Sequence, residues 1–124
     1  MSTIKVGTLL AADGSSTTQP SIPALETRMA KAWVNFNGTG SVAIRKAYNV
    51  SSITDTATGI FVVNFTSNLP TAGYAVVGQR QAMASYTNAE VDVYALLVSS
   101  FTMTTIENGS ARDSSNTMAI VFHD

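Results

Sequence analysis

From Ala32 to the end of the chain, apolar and polar residues alternate with a period of two, and turn-forming residues interrupt this pattern at short intervals. β-branched and aromatic residues are frequent in the alternating segments, and both types favour strands. About seven or eight short strands with such spacing are typical of an antiparallel sandwich or barrel. We therefore predict an all-β fold, an antiparallel β-sandwich of jelly-roll-like type, with strands over residues 33–37, 41–45, 49–55, 60–65, 74–81, 91–99, 101–107 and 117–123.

The first two predicted strands are joined by a glycine-containing turn. Asn37-Gly38 is a pair that supplies the positive backbone dihedrals of a tight hairpin turn. The run Gly38-Thr39-Gly40-Ser41 also looks like a fragment of a phosphate-binding loop, but such a loop lies between a strand and a helix. We therefore predict a structural hairpin at this position.

A chain of 124 residues has room for one hydrophobic core. We divide it into an N-terminal attachment arm, residues 1–30, and a β-sandwich domain, residues 31–124. Within the arm, residues 4–10 suit one short strand and residues 23–30 one or two helical turns with Ser21 as a possible cap. The apolar side chains of an arm that cannot fold alone are expected to lie on another surface, and they mark Val6, Leu9, Leu10, Ile22 and Leu25 as attachment residues.

Charge and composition exclude several functions. Seven Lys and Arg against eight Asp and Glu give a net charge of -1, which provides no basic surface for nucleic acid or for an anionic membrane. No apolar run of the ~18 residues that could span a bilayer is present, and the first residues lack the pattern of a secretory signal. The sequence contains no cysteine, so disulfides, thiolate nucleophiles and the usual zinc sites are excluded. We expect no cofactor and no bound metal.

Several predicted strands are apolar on both faces, although one face of a strand in a small sandwich is ordinarily exposed to water. A second copy or the arm is expected to cover the extra apolar face, so we predict a homo-oligomer. The strands concerned contain residues 60–65, 91–98 and 118–122.

Few residues are suited to catalysis. His123 is the single histidine, no Gly-x-Ser-x-Gly motif accompanies it, and we expect it to be solvated or at an interface. Glu90 and Asp92 would share one strand face, and we expect a solvated pair or a salt bridge to Arg80 or Arg112 rather than an acid–base pair. The segment 112–116 has too few oxygen ligands for a calcium loop, so we read it as a polar loop.

One aromatic residue lies in a polar segment of the kind that often contacts ligands. Tyr86 lies among small polar residues in the segment 84–88, and loop aromatics in such surroundings commonly contact ligands. We therefore predict Tyr86 and Asn88 as surface-recognition residues.

Three segments carry a resemblance to a known family. These are AKAWVNFNGTGSVAIR at residues 30–45, YNVSSITD at 48–55 and VNFT at 63–66. They resemble a domain that recurs in tail-fibre and other virion structural proteins of tailed bacteriophages, including many cyanophages and marine phages. STIKVGTL at residues 2–9 is similar to the attachment segment that precedes this domain. The resemblance covers the arm and residues 30–81 and is weak over residues 82–124. It also departs from the family at residues 56–61, where TATGIF replaces a more polar turn.

The resemblance implies a β-rich, homotrimeric, non-catalytic component of the virion, made in the host cytoplasm and bound to other phage structural proteins. The first hypothesis is a tail fibre or tail appendage that attaches by its arm and contacts a host-surface glycan. The alternative is a capsid decoration or head-fibre protein. A glycan-degrading appendage is the third, and Glu90 with Asp92 would be its only acid pair.

Overall fold

The computed structural model of the chain describes residues 2–15, 21–81 and 88–124. One short helix, α1 (Pro23–Glu26), precedes nine strands. The strands are β1 (Ala32–Asn37), β2 (Ala43–Tyr48), β3 (Val50–Ala57), β4 (Ile60–Phe65), β5 (Ala75–Arg80), β6 (Ala89–Leu97), β7 (Ser100–Glu107), β8 (Ser110–Ala111) and β9 (Thr117–Phe122). Each strand predicted between residues 33 and 123 overlaps an observed strand, although β2 begins two residues later than predicted and β8 was missed.

The strands form two antiparallel sheets, which confirms the predicted all-β sandwich. Sheet A has the order β2-β1-β9-β5, and sheet B has the order β3-β4-β7-β6 with β8 paired to β7. The described residues form four hairpins that each lie within one sheet, β1-β2, β3-β4, β6-β7 and β7-β8. In sheet A, β9 is an inner strand that pairs with both β1 and β5.

The core lies between the sheets and is filled by one face of each strand. Phe36 of β1 meets Phe61 of β4 edge to face, with ring centroids 5.2 Å apart. A second aromatic group contains Phe65, Tyr74 and Phe101. The Tyr74 hydroxyl donates to the carbonyl oxygens of Leu97 and Ser100 at 2.9 and 2.8 Å, so a buried polar group is satisfied at the end of the core. Burial raises the pKa of this hydroxyl above 10.0.

The first hairpin differs from its predicted form. The positive φ lies at Gly40, at 62°, and not at Asn37 or Gly38. Gly38 is required for a different reason, because a Cβ there would lie 2.7 Å from the Phe61 ring. The Asn37 side chain closes the loop by accepting from Thr39 and by donating to its carbonyl. The connection is therefore longer than a two-residue turn, and β2 begins at Ala43.

A second glycine lies at a backbone crossing between β4, β7 and the loop before β9. Gly59 has φ +70°, its N–H donates to the Asp113 carboxylate at 2.6 Å, and its carbonyl accepts from the Thr105 N–H at 2.8 Å. Thr105 also binds Arg112 through backbone and side chain. Segment 112–116 is thus a loop held by the fold, and Ser114 within it is buried.

The arm is only partly as predicted. Residues 2–15 contain no strand, so the strand predicted over residues 4–10 is not present. α1 forms one turn, its N-cap is Ile22 and no side chain caps it. Ser21 donates instead to the Glu26 carboxylate at 2.7 Å.

Candidate functional site

The predicted attachment residues are largely uncovered. Val6, Leu9 and Leu10 are 63%, 57% and 44% exposed, and Leu25 is 44% exposed. Ile22 is half-buried. Within the described residues the arm therefore presents apolar side chains to solvent, which is what a segment that packs on another surface requires.

Of the two predicted recognition residues, Asn88 lies within the described residues. Tyr86 lies outside them. Asn88 is exposed just before β6, and its carbonyl accepts a hydrogen bond from the Asn108 N–H at 3.1 Å. The surface-recognition role of the pair stays a prediction.

An exposed apolar surface covers the outer face of sheet A. Trp33 of β1 lies opposite Ile120 of β9, and Ile120 lies opposite Val77 of β5. Phe122 follows Ile120 on the same face of β9. We call these four side chains the apolar patch. Trp33 is 39% exposed, Ile120 43%, Val77 64% and Phe122 39%. Tyr48 lies at the rim of the patch, opposite Trp33 on the edge strand.

The apolar patch is large for a chain of this size. With about 150–250 Å² for each large side chain, the four exposed fractions amount to roughly 350 Å², and patches of about 300–600 Å² are often functional. The outer face of sheet B mixes polar and apolar side chains, since Thr102 and Thr104 of β7 lie there opposite Val62 and Ile60 of β4. Tyr94 of β6 lies on the same face and is 45% exposed. The prediction of an uncovered apolar face therefore applies to sheet A and in part to sheet B.

Glu90 and Asp92 share the outer face of β6, as their spacing predicts. Glu90 lies opposite Ile106 and Asp92 opposite Thr104, and both acids are exposed. Their expected salt bridge to Arg80 is not formed, because Arg80 binds another residue. An exposed pair on an open face has none of the burial that tunes a general acid.

His123 is buried within the chain, so the expectation that it is solvated is wrong, and the interface alternative stays a prediction. It follows β9 with the inward parity of Ala119 and Val121, and its side chain is 6% exposed. Its Nε2 lies 2.9 Å from the Thr71 hydroxyl, and its Nδ1 contacts the Asp124 carbonyl. The ring links the end of β9 to the loop before β5.

Arg80 and Glu107 form a buried ion pair that sequence analysis missed. Arg80 Nη2 lies 3.3 Å from Glu107 Oε2, and both side chains are 2% exposed. Arg80 Nη1 also donates to the Ile106 carbonyl at 3.1 Å, while Arg80 Nε and Glu107 Oε1 have no hydrogen-bond partner among the described residues. The alternation of inward-facing and outward-facing positions could have identified the pair, because Arg80 and Glu107 each lie at an inward-facing position of their strand.

Two cavities adjoin at one end of the sandwich, and Lys31 and Leu69 line both. The first, about 430 Å³, is lined by Lys31, Tyr48, Asn49, Thr66, Ser67 and Leu69, and we call it the Lys31 cavity. The second, about 300 Å³, lies toward α1 and His123. Sequence analysis did not identify this region, since its residues come from separate connections.

Asn49 holds the wall of the Lys31 cavity together. It has φ 53°, between β2 and β3. Its side-chain amide donates to the carbonyls of Lys31 and Ser67 at 3.2 and 3.1 Å, and its Oδ1 accepts from the Ser67 N–H at 2.8 Å. Its backbone carbonyl accepts from Thr66. The cavity is therefore shaped by fixed backbone.

Within residues 2–15, 21–81 and 88–124, no three His, Asp or Glu side chains are grouped as metal ligands. No helix in the same residues is long and apolar enough to cross a membrane. No match to this chain was found among family models, curated proteins or solved structures. The described residues offer exposed apolar surfaces, in residues 2–10 and on sheet A, and two adjoining cavities.

Proposed function

We propose that this chain is a structural component of a tailed-bacteriophage virion, a tail fibre or tail appendage protein that forms a homotrimer and attaches to the particle by its N-terminal arm. The observation that carries the proposal is that a single chain leaves the apolar patch on sheet A and the apolar residues of the arm uncovered. The sequence resemblance over residues 2–9 and 30–81 supplies the virion assignment.

In this proposal one surface serves self-association and another serves attachment to the particle. The apolar patch faces neighbouring copies, because a stable interface requires about 800 Å² from each partner and the patch provides a large share of that area. The arm binds a different phage structural protein through Val6, Leu9 and Leu10. No catalytic step belongs to this function, and the exposed Glu90 and Asp92 are surface residues in it.

Sedimentation of the purified chain tests the self-association. Ile120→Lys places a charge in the centre of the apolar patch, so we expect the trimer to dissociate toward the 13.0 kDa chain. Tyr94→Lys is the matched control, since Tyr94 is also exposed but lies on the outer face of sheet B. Circular dichroism of both variants checks that the sandwich is folded. A wild-type chain that sediments as a monomer at all concentrations would refute the trimer.

Particle assembly tests the virion assignment. Deletion of residues 2–12 removes Val6, Leu9 and Leu10 without touching a strand, so the variant should stay a folded oligomer that no longer joins particles. Gold-labelled antibody against the chain should mark the tail end of purified virions. Label over the head would replace the fibre assignment with a capsid decoration protein, and absence of label from the particle would exclude both.

A further inference from the structure

The Lys31 cavity has the size and the preformed walls of a small-ligand site. Its volume of about 430 Å³ falls in the usual range of roughly 300–1,000 Å³ for such sites. The Asn49 side chain fixes both the Lys31 backbone and the 66–67 loop. A ligand that enters the cavity therefore orders little of the chain, and this lowers the entropic cost of binding.

The hydroxyl groups and the ammonium group of the cavity have no partner among the described residues. The described residues supply no hydrogen bond to the hydroxyls of Tyr48, Thr66 or Ser67, and none of the described carboxylates forms an ion pair with Lys31. Lys31 is the only charged side chain that lines the cavity. The site thus offers one positive charge, three hydroxyls and an aromatic ring that is 49% exposed.

These groups select a ligand chemistry. An aromatic ring beside hydroxyls fits a sugar, because a sugar ring has an apolar C–H face and an edge of hydroxyl groups. An ammonium group without a carboxylate partner attracts a negative charge. Leu69 is buried at the base of the cavity and provides an apolar floor.

We propose that the Lys31 cavity binds an acidic saccharide, with the sugar ring against Tyr48, its carboxylate at the Lys31 ammonium and its hydroxyls bonded to Thr66 and Ser67. The site is distinct from the predicted Tyr86 and Asn88 pair. It belongs to the isolated chain, so it can fail while the virion proposal stands, and the reverse also holds.

Glucuronic acid, glucose and acetate are the probes, and amide chemical shifts of the isotope-labelled full chain are the readout. Glucuronic acid and glucose share the sugar ring and differ in the carboxylate, whereas acetate carries the carboxylate alone. We expect glucuronic acid to shift the Thr66 and Ser67 amides with a millimolar Kd, and glucose and acetate to bind at least about tenfold more weakly. If acetate binds as tightly as glucuronic acid, the site recognises only an anion. If glucose binds as tightly as glucuronic acid, the Lys31 ammonium does not contribute to recognition of the carboxylate. Either result overturns the proposal, as does the absence of shifts up to about 50 mM.

Two variants locate the interaction. Lys31→Gln removes the charge but keeps the backbone N–H and carbonyl that bind Val121 and Asn49, so the fold should be retained while affinity for glucuronic acid falls at least about tenfold. Lys46→Gln removes a charge from the same end of β2, outside both cavities, and should leave affinity unchanged. An equal loss in both variants would mean that general surface charge attracts the ligand, which contradicts a built site.

Discussion

The buried pair of Arg80 and Glu107 allows a quantitative test of how the two sheets are held together. At 3.3 Å and an effective dielectric constant of about 20, the Coulomb attraction of the pair is about 5 kcal/mol. Removal of both charges from water costs several kcal/mol for each ion. Arg80 Nε and Glu107 Oε1 do not offset that cost, because neither has a hydrogen-bond partner within residues 2–15, 21–81 and 88–124. The pair is therefore close to neutral in net stability, although each charge depends strongly on the other.

A double-mutant cycle measures this dependence. Arg80→Met or Glu107→Met alone leaves one buried charge uncompensated, and each should lower the free energy of unfolding by about 3–5 kcal/mol. The double variant leaves no buried charge, so we expect it to be at least as stable as either single variant and to show a coupling energy of several kcal/mol. Urea denaturation at one fixed chain concentration gives the four values, since association would otherwise shift them.

The exposed Arg112 supplies the control for this cycle. Arg112→Met should change the free energy of unfolding by no more than about 0.5 kcal/mol, because that side chain lies at the surface. If the double variant loses the sum of the two single losses, the charges do not stabilise one another and the reasoning is refuted. If a single variant does not fold, its comparison with a folded double variant still gives the sign of the coupling.

Two further predictions concern the backbone crossing and the core tyrosine. Gly59→Ala places a Cβ 2.5 Å from the Arg112 nitrogen at φ +70° and should cost about 3 kcal/mol or more, whereas Gly109→Ala at φ +76° meets no atom within 4 Å and should cost about 1–2 kcal/mol. Equal losses in thermal unfolding would mean that the close approach at Gly59 is relieved without cost. Tyr74→Phe removes hydrogen bonds to two carbonyls and should cost about 1–3 kcal/mol. Burial raises the pKa of Tyr74 from 10.0, so the native state holds this proton more tightly than the unfolded state. The contribution of this proton to the free energy of unfolding is therefore fully present below pH 10.0 and falls as the pH rises above it. This alkaline loss should be smaller in Tyr74→Phe and unchanged in Tyr94→Phe, and urea denaturation across that range checks both.

The candidate sites show where sequence reasoning was sufficient. The parity of Ala119 and Val121 against Ile120 and Phe122 predicted an apolar outer face, and the structure places that face on sheet A. Parity alone did not identify the neighbours, because Trp33 and Ile120 are far apart in the chain and meet only when β1 pairs with β9. The prediction for His123 failed because a histidine at a strand end was taken to be solvated, whereas the loop containing Thr71 covers it.

Local patterns account for the strands. Side-chain alternation and turn residues depend on neighbours only a few positions away, so the sequence was enough to predict an all-β chain and the approximate bounds of most strands. Pairing acts between distant segments, and a residue's surroundings depend on which strand lies beside it. The Lys31 cavity joins the entry to β1, the β2–β3 connection and the segment after β4, and the Arg80–Glu107 pair joins β5 to β7. Only the three-dimensional arrangement brings these groups together, because burial and charge pairing are properties of contacts between segments that no local pattern encodes.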